Sequence, residues 1–372
     1  MPPNDPAAHI PALDGLRAVS ILLVIASHAG FGRIVPGGLG VTLFFGISGF
    51  IITRLLLAEW AAHGRIAFGA FYARRVLRLS PALLTYAACA GLAMAALGAP
   101  FVLAEWLAML FYAANYYALW VGFPDHSALA PHPFSILWSL AVEEHFYLLF
   151  PAAMLLLVRR GWFLPAMAAG CAASLAWRIM VHAQCGAGGG PEWLCGTFPA
   201  YRIHMATDTR LDAMLYGCGL AWLCRPGAMP GWVRARWPLP LGGAMVLASL
   251  LIREETFRET ARHTLQSAGI ALALGPLLFA PAWGRLRALL SWAPTLLVGR
   301  MSYVLYLFHW LAVGLACAAT GEAMREAPYG AAWYAVFLLA TLIPSAAVYW
   351  GIERPVARLR RRMRRPANGH GT

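Results

Sequence analysis

The sequence contains no lysine, so all 29 of its basic residues are arginine. Acidic residues number only 16 in 372, and charged residues make up 12% of the chain, against about 25% in an average soluble domain. With 60% hydrophobic residues and a mean hydropathy of +0.62, this scarcity of charge excludes an ordinary soluble protein. The first residues, MPPNDPAAHI, lack a basic stretch and a small-residue cleavage site beside a short apolar core, so they read as a short cytosolic tail rather than a signal peptide. No internal repeat is evident, which leaves an inverted-repeat transporter without direct support. No close His/Cys/carboxylate pattern of the zinc type occurs, so no metal is expected. No nucleic-acid partner is expected either. Two explanations for the missing lysine stay open: genomic base composition, or arginine forks that grip phosphates and tolerate burial better than lysine.

What is present is a series of long apolar runs. Many approach the roughly 20 residues needed to cross a bilayer. Spans are expected at about 12–31, 38–60, 80–99, 134–158, 161–181, 206–224, 238–252, 265–283, 291–319 and 330–352. The expected fold class is therefore all-α: a polytopic membrane helix bundle of about ten spans, occupying residues 1–354, with a basic cytosolic tail at 355–372. Arginine placement supplies the orientation. The clusters at 65–78, 159–160, 225–236, 285–300 and 354–365 all fall on one side if both termini are cytosolic. Only REETFRETARH (253–263) falls opposite, where acids dilute it. Segment 101–120, FVLAEWLAMLFYAANYYALW, would invert every later cluster if it crossed. It is expected to be re-entrant or interfacial, its Trp and Tyr at the headgroups. Cys185 and Cys195 flank an outer loop, where an oxidising compartment permits a disulfide; two free thiols are the alternative.

An ionisable residue inside a span is a functional candidate by default. In LDGLRAVSILLVIASHAG, Arg17 and His28 are 11 residues apart, three turns plus roughly 20°, so they share a helix face. At about 1.5 Å per residue they stand roughly 16 Å apart along the axis. The bland readings are a snorkelling anchor for Arg17 and a core histidine for His28. In AFYARRVLRLSP, Arg74, Arg75 and Arg78 lie just before the third expected span, either as ordinary loop charge or as bidentate phosphate ligands. In LWSLAVEEHFYLLFP, Glu143 shares a stripe with Ser139 and Tyr147, whereas Glu144 turns about 100° away. One is expected to line a cavity and the other to pair with an arginine of another helix. In GRMSYVLYLFHW, Ser302, Tyr306 and His309 share a face. In ATDTRLDAMLYG, Asp208 and Asp212 flank Arg210, suited to a polyol or to helix capping.

Taken in order, IPALDGLRAVSILLVIASH, GGLGVTLFFGISGFIITRLL, FYARRVLRLSPALL, LWSLAVEEHFYLLFP, TRLDAMLYGCGL, GRMSYVLYLFHW and IERPVARL resemble the membrane-bound acyltransferase-3 family over nearly the whole chain. Arg17 and His28 meet that family's arginine–histidine pattern, and Arg75 and Arg78 its arginine-x-x-arginine pattern. Two positions depart from it: Thr42, where an acidic residue is common, and His145, where glutamine is frequent. The sequence ends at Thr372, so a stand-alone member without a fused extracytoplasmic domain is expected.

The resemblance implies transfer of an acyl group, acetyl by default, from cytosolic acyl-CoA to a hydroxyl of a sugar, glycan or glycosylated small molecule. The location implied is the bacterial inner membrane, with no permanently bound cofactor. On this reading Arg17, Arg74, Arg75 and Arg78 hold the CoA phosphates. His28, helped by Glu143 or Glu144, is the general base or else a covalent acyl carrier. His309 orients the acceptor or steadies the oxyanion. Asp208, Arg210, Asp212, Ser302 and Tyr306 are weaker acceptor-binding candidates. The alternative is a proton-coupled transporter or lipid-linked sugar flippase, which also carries intramembrane His, Glu and Arg.

Overall fold

The protein is described here from a computed structural model, which covers residues 9–123, 129–186, 190–325 and 327–362, the last three in backbone only. The first eight residues of the expected tail and the end of the basic tail, residues 363–372, lie outside the described residues.

Among the described residues every regular element is a helix. Pro11, whose fixed φ suits a first helical turn, opens α1 (Pro11–Ala26). A five-residue π turn, Ser27–Phe31, continues it. The next helix, α2 (Gly37–His63), closes on Gly64 in the left-handed conformation. Then come α3 (Phe68–Ala96), two short helices α4 (Leu103–Leu110) and α5 (Ala114–Trp120), α6 (Trp138–Arg159) and α7 (Phe163–Cys185). The second half contains α8 (Thr207–Arg210), α9 (Asp212–Leu223), α10 (Pro238–Leu251), α11 (Ala261–Phe279), α12 (Ala293–Arg300), α13 (Ser302–Thr320) and α14 (Ala331–Val348).

Among the described residues seven helices are long and apolar enough to cross a membrane, and an eighth arises if Ala261–Phe279 and Pro281–Leu290, bent by 88°, count as one span. The chain is thus a polytopic helical membrane protein. Helical segments stand at all ten expected places, but several boundaries differ. The run at 206–224 is divided at Leu211, and that at 291–319 at Met301, where short helices meet longer ones. Segment 101–120 is two short helices joined by a turn at Phe111–Ala113, with Tyr112 at φ 55°.

The third span begins twelve residues before its expected start at 80, at Phe68. Arg74, Arg75 and Arg78 therefore lie inside α3 and not ahead of it. Hydropathy misplaced this boundary because three arginines depress the apolar average, while neighbouring helices supply charge partners to Arg74 and Arg75.

The main core lies between α2, α3, α6 and α13, around Phe45, Tyr86, Phe150 and Phe308. α2 and α9 approach backbone to backbone. A Cβ added at Gly49 would stand 2.1 Å from the Met214 carbonyl oxygen, and one at Gly217 would stand 2.1 Å from that of Gly46. Small residues permit such contact where lipid offers helices no hydrophobic drive to associate.

Candidate active site

Two groups of polar residues are set within this bundle; α1 carries a member of the first and the turn at its end a member of the second. The first lines a cavity of about 800 Å³ at the arginine-rich ends of α2 and α3. Arg17, Arg74, Arg75 and Arg78 all line it, together with Arg65, which the sequence reading had treated as loop charge. The acid on its wall is Glu59, which approaches Arg74 at 3.5 Å. Arg17 and Arg78 make no hydrogen bond or ion pair among the described residues. The wall is therefore strongly cationic and retains fork donors for an anion.

Behind this wall lie the paired glutamates. Arg75 donates to Glu144 at 2.8 Å and lies 4.0 Å from Glu143. Its guanidinium also stacks 3.4 Å above the Tyr147 ring. Ser48 donates to Glu143 at 2.6 Å, and the Tyr147 hydroxyl donates to the same oxygen. Ser48 and Tyr147 both line the cavity. The expected division thus appears as geometry: Glu144 grips an arginine of another helix, while Glu143 backs the cavity through two hydroxyls. Ser139 leaves the expected stripe and bonds Tyr306 at 2.6 Å. Neither glutamate contacts His28 among the described residues.

The second group centres on His28 and His309. The π turn at Ser27–Phe31 ends α1 and sets His28 against α13. Gly30 within it has φ +94°, and a Cβ there would meet the Tyr329 ring at 2.7 Å. His28 Nδ1 lies 2.9 Å from His309 Nε2, and the rings stack within 9° of parallel. His309 Nδ1 faces the carbonyl oxygens of Tyr306, at 2.7 Å, and Leu305, at 3.1 Å. Carbonyls only accept, so His309 carries its proton on Nδ1 when neutral. Its Nε2 then accepts from His28 Nδ1–H, leaving the lone pair of neutral His28 on Nε2. His309 is fully buried and has both ring nitrogens engaged, whereas His28 is partly exposed. Both ring nitrogens of His309 are thus spent on protein partners, and it stands behind His28.

Trp310 meets His28 edge-on at 4.5 Å between ring centres. Its indole N–H is held by the His132 carbonyl and by Ser135 Oγ, at 3.1 and 2.9 Å. His132 accepts from Phe134 N–H on Nδ1, so Nε2–H donates to Glu105 at 3.1 Å. This buried pair ties α4 to the turn before α6. The sequence reading passed over it, although Glu105 inside an apolar run was a signal of the same kind as Glu143.

The weaker candidates are not brought together. Asp208 is held bidentately by Arg202 at 2.8 and 2.5 Å, and by the Trp177 indole at 2.5 Å. Asp212 pairs with buried Arg178 at 2.6 Å and accepts from Thr264 at 2.8 Å. Arg210 contacts His263 and, at 3.3 Å, Thr42. Tyr306 donates to the Ile136 carbonyl at 3.0 Å, and Ser302 is buried at the start of α13. Asp208 and Asp212 turn to different arginines because α8 and α9 break between them. Cys185 and Cys195 form a disulfide in the loop after α7, at the end of the bundle away from the arginine-rich cavity.

A family profile described as an acyltransferase domain matches residues 10–350. The chain belongs to the acyltransferase-3 family. Among curated proteins it is 31% identical to O-acetyltransferase OatA of Staphylococcus aureus, over 81% of this chain and 50% of that protein. It is 28% identical to peptidoglycan O-acetyltransferase OatA of Listeria monocytogenes, over 81% of this chain and 49% of that one. The chain thus spans about half the length of these relatives. No solved structure matches it significantly.

Proposed function

We propose that this protein is an O-acyltransferase of the bacterial cytoplasmic membrane. It takes an acyl group, acetyl by default, from cytosolic acyl-CoA and places it on a hydroxyl of a sugar or glycan. The observation that carries this reading is that α1 brings Arg17 to a cationic cavity, while the turn at its end, 11 residues on, sets His28 with a directed basic nitrogen. The separation, about 16 Å along the axis, suits a long flexible arm between phosphates and reacting carbonyl. The acetyltransferase names of the relatives support the acyl group, and the Listeria protein's name supports a glycan acceptor.

The arginine-rich end faces the cytosol in this reading, as the bias of arginine in short loops implies. The CoA phosphates lie against Arg17 and Arg78, with Arg65 and Arg74 at the cavity mouth. Arg75 is held by the glutamates and shapes the wall. His28 Nε2 removes the acceptor hydroxyl proton as the oxygen attacks the thioester carbonyl. The tetrahedral intermediate collapses, the C–S bond breaks, and the thiolate leaves and takes up the proton from His28. His309 Nε2 holds the Nδ1–H of the transient imidazolium, steadying the cation without taking its proton.

The test is transfer from labelled acetyl-CoA by purified protein in detergent, where no gradient exists. Transfer or slow hydrolysis is expected. Gradient-dependent uptake in vesicles without acyl transfer would replace this reading with the transporter.

A further inference from the structure

A second cavity, of about 400 Å³, opens at the arginine-rich end of the bundle on the other side of α2. Leu57 and Ala61 line it, whereas Ala58 and Ala62 of the same helix line the larger cavity. One helix thickness therefore separates the two. The walls are apolar, from Leu57, Val158 and Phe279 at the ends of α2, α6 and α11. Arg54, Arg225 and Arg234 also line it, no acidic residue does among the described residues, and no carboxylate pairs with Arg225 or Arg234 among them. Arg225 is fixed above the Trp222 ring at 4.1 Å and donates to the Trp222 carbonyl at 2.8 Å. Arg159 lies over Trp60, another wall residue, at 5.4 Å. Tryptophan and arginine at helix ends mark the headgroup level of a bilayer.

An apolar slot lined by arginines, beside tryptophans of the kind that mark headgroup level, is complementary to one class of amphiphile. We propose that this cavity binds the phosphate headgroup and upper acyl chain of an anionic membrane phospholipid. The phosphate sits between Arg225 and Arg234, and the chain lies against Leu57 and Phe279. The site is distinct from the acyl-CoA cavity and does not depend on the acyltransferase reading.

The full chain, delipidated in detergent, would be offered equal phosphatidylglycerol and phosphatidylcholine, and the adducts counted by native mass spectrometry. A juxtamembrane arginine favours anionic lipid by roughly fivefold. Wild type is expected to prefer phosphatidylglycerol by at least that factor, and Arg225→Gln/Arg234→Gln to bind the two lipids almost equally. Ala61→Phe, which fills the slot from α2, is expected to lower occupancy by either lipid. Acetyl-CoA binding by the double variant should stay at the wild-type level. Equal binding of the two lipids by wild type overturns the proposal even if the variants fail to fold. So does undiminished preference in the folded double variant, or full displacement of the lipid by inorganic phosphate.

Discussion

His28 and His309 differ in what their surroundings leave them to do. Backbone carbonyls consume the Nδ1 proton of His309, and its Nε2 is spent on His28, so only His28 retains a free lone pair. Replacing His28 with alanine is expected to lower acetyl transfer by about 10²–10⁴-fold, the usual range for a general base, with folding retained. Wild-type transfer by the folded variant would remove His28 from the chemistry. His309→Gln should lower kcat while leaving the KM for acetyl-CoA close to wild type, because the arginine cavity is untouched. A raised KM with unchanged kcat would instead place His309 in donor binding. Glu144→Gln strips the closest countercharge from Arg75, leaving it only Glu143 at 4.0 Å, and is expected to destabilise the fold. Its thermal midpoint should fall further than that of Glu143→Gln, where Arg75 keeps Glu144. The reverse order would exchange the structural roles of the two carboxylates.

Each helix places its functional groups by a local break in regularity. The π turn at the end of α1 needs a glycine at position 30, both for its positive φ and because Tyr329 and the Ala327 backbone crowd it. The Ala327 N–H donates to the Gly30 carbonyl at 2.7 Å, joining the loop before α14 to the turn that carries His28. Gly30→Ala is therefore expected to lower transfer at least as severely as stability, because the first thing to move is His28. Full activity in that variant would show that the turn tolerates a side chain. The short turn Pro133–Leu137 acts as a hub. Tyr86 and Tyr306 donate to its carbonyls at 133 and 136, Trp310 donates to the carbonyl of His132 just before it, and His132 donates to Glu105. Glu105→Ala removes the carboxylate that His132 Nε2 meets and should lower the thermal midpoint. It should also reduce kcat, through Trp310 and its edge contact with His28. These breaks were only partly legible in the sequence. The 11-residue spacing marked Arg17 and His28 as a pair worth following, but no periodicity announces the irregular turn after Ala26 or a hub of carbonyl acceptors.

For the whole molecule, the arginine-rich cavity and the Cys185–Cys195 disulfide stand at opposite ends of the bundle. If the arginines face the cytosol, the disulfide faces an oxidising compartment, where such bonds persist. Maleimide modification of intact cells is expected to leave both cysteines unlabelled until a reductant is added, after which an impermeant reagent reaches them from outside. Labelling only after the cytosolic side is exposed would invert the topology.

The sequence by itself determined the membrane setting, the helical class and the ordered series of polar motifs. Scarcity of charge and recurrent apolar runs allow few other outcomes. The motif order also sufficed to place the chain among acyltransferases. What only the tertiary structure decided was partnership. Glu144 meets Arg75 across 69 positions and His28 meets His309 across 281. Asp208 and Asp212, neighbours on paper, turn to different arginines. Helix periodicity states which way a side chain points, but not which helix it will face. That choice comes from packing α1, α3, α6 and α13 together, and it assigns a free nitrogen to one histidine and a structural role to the other.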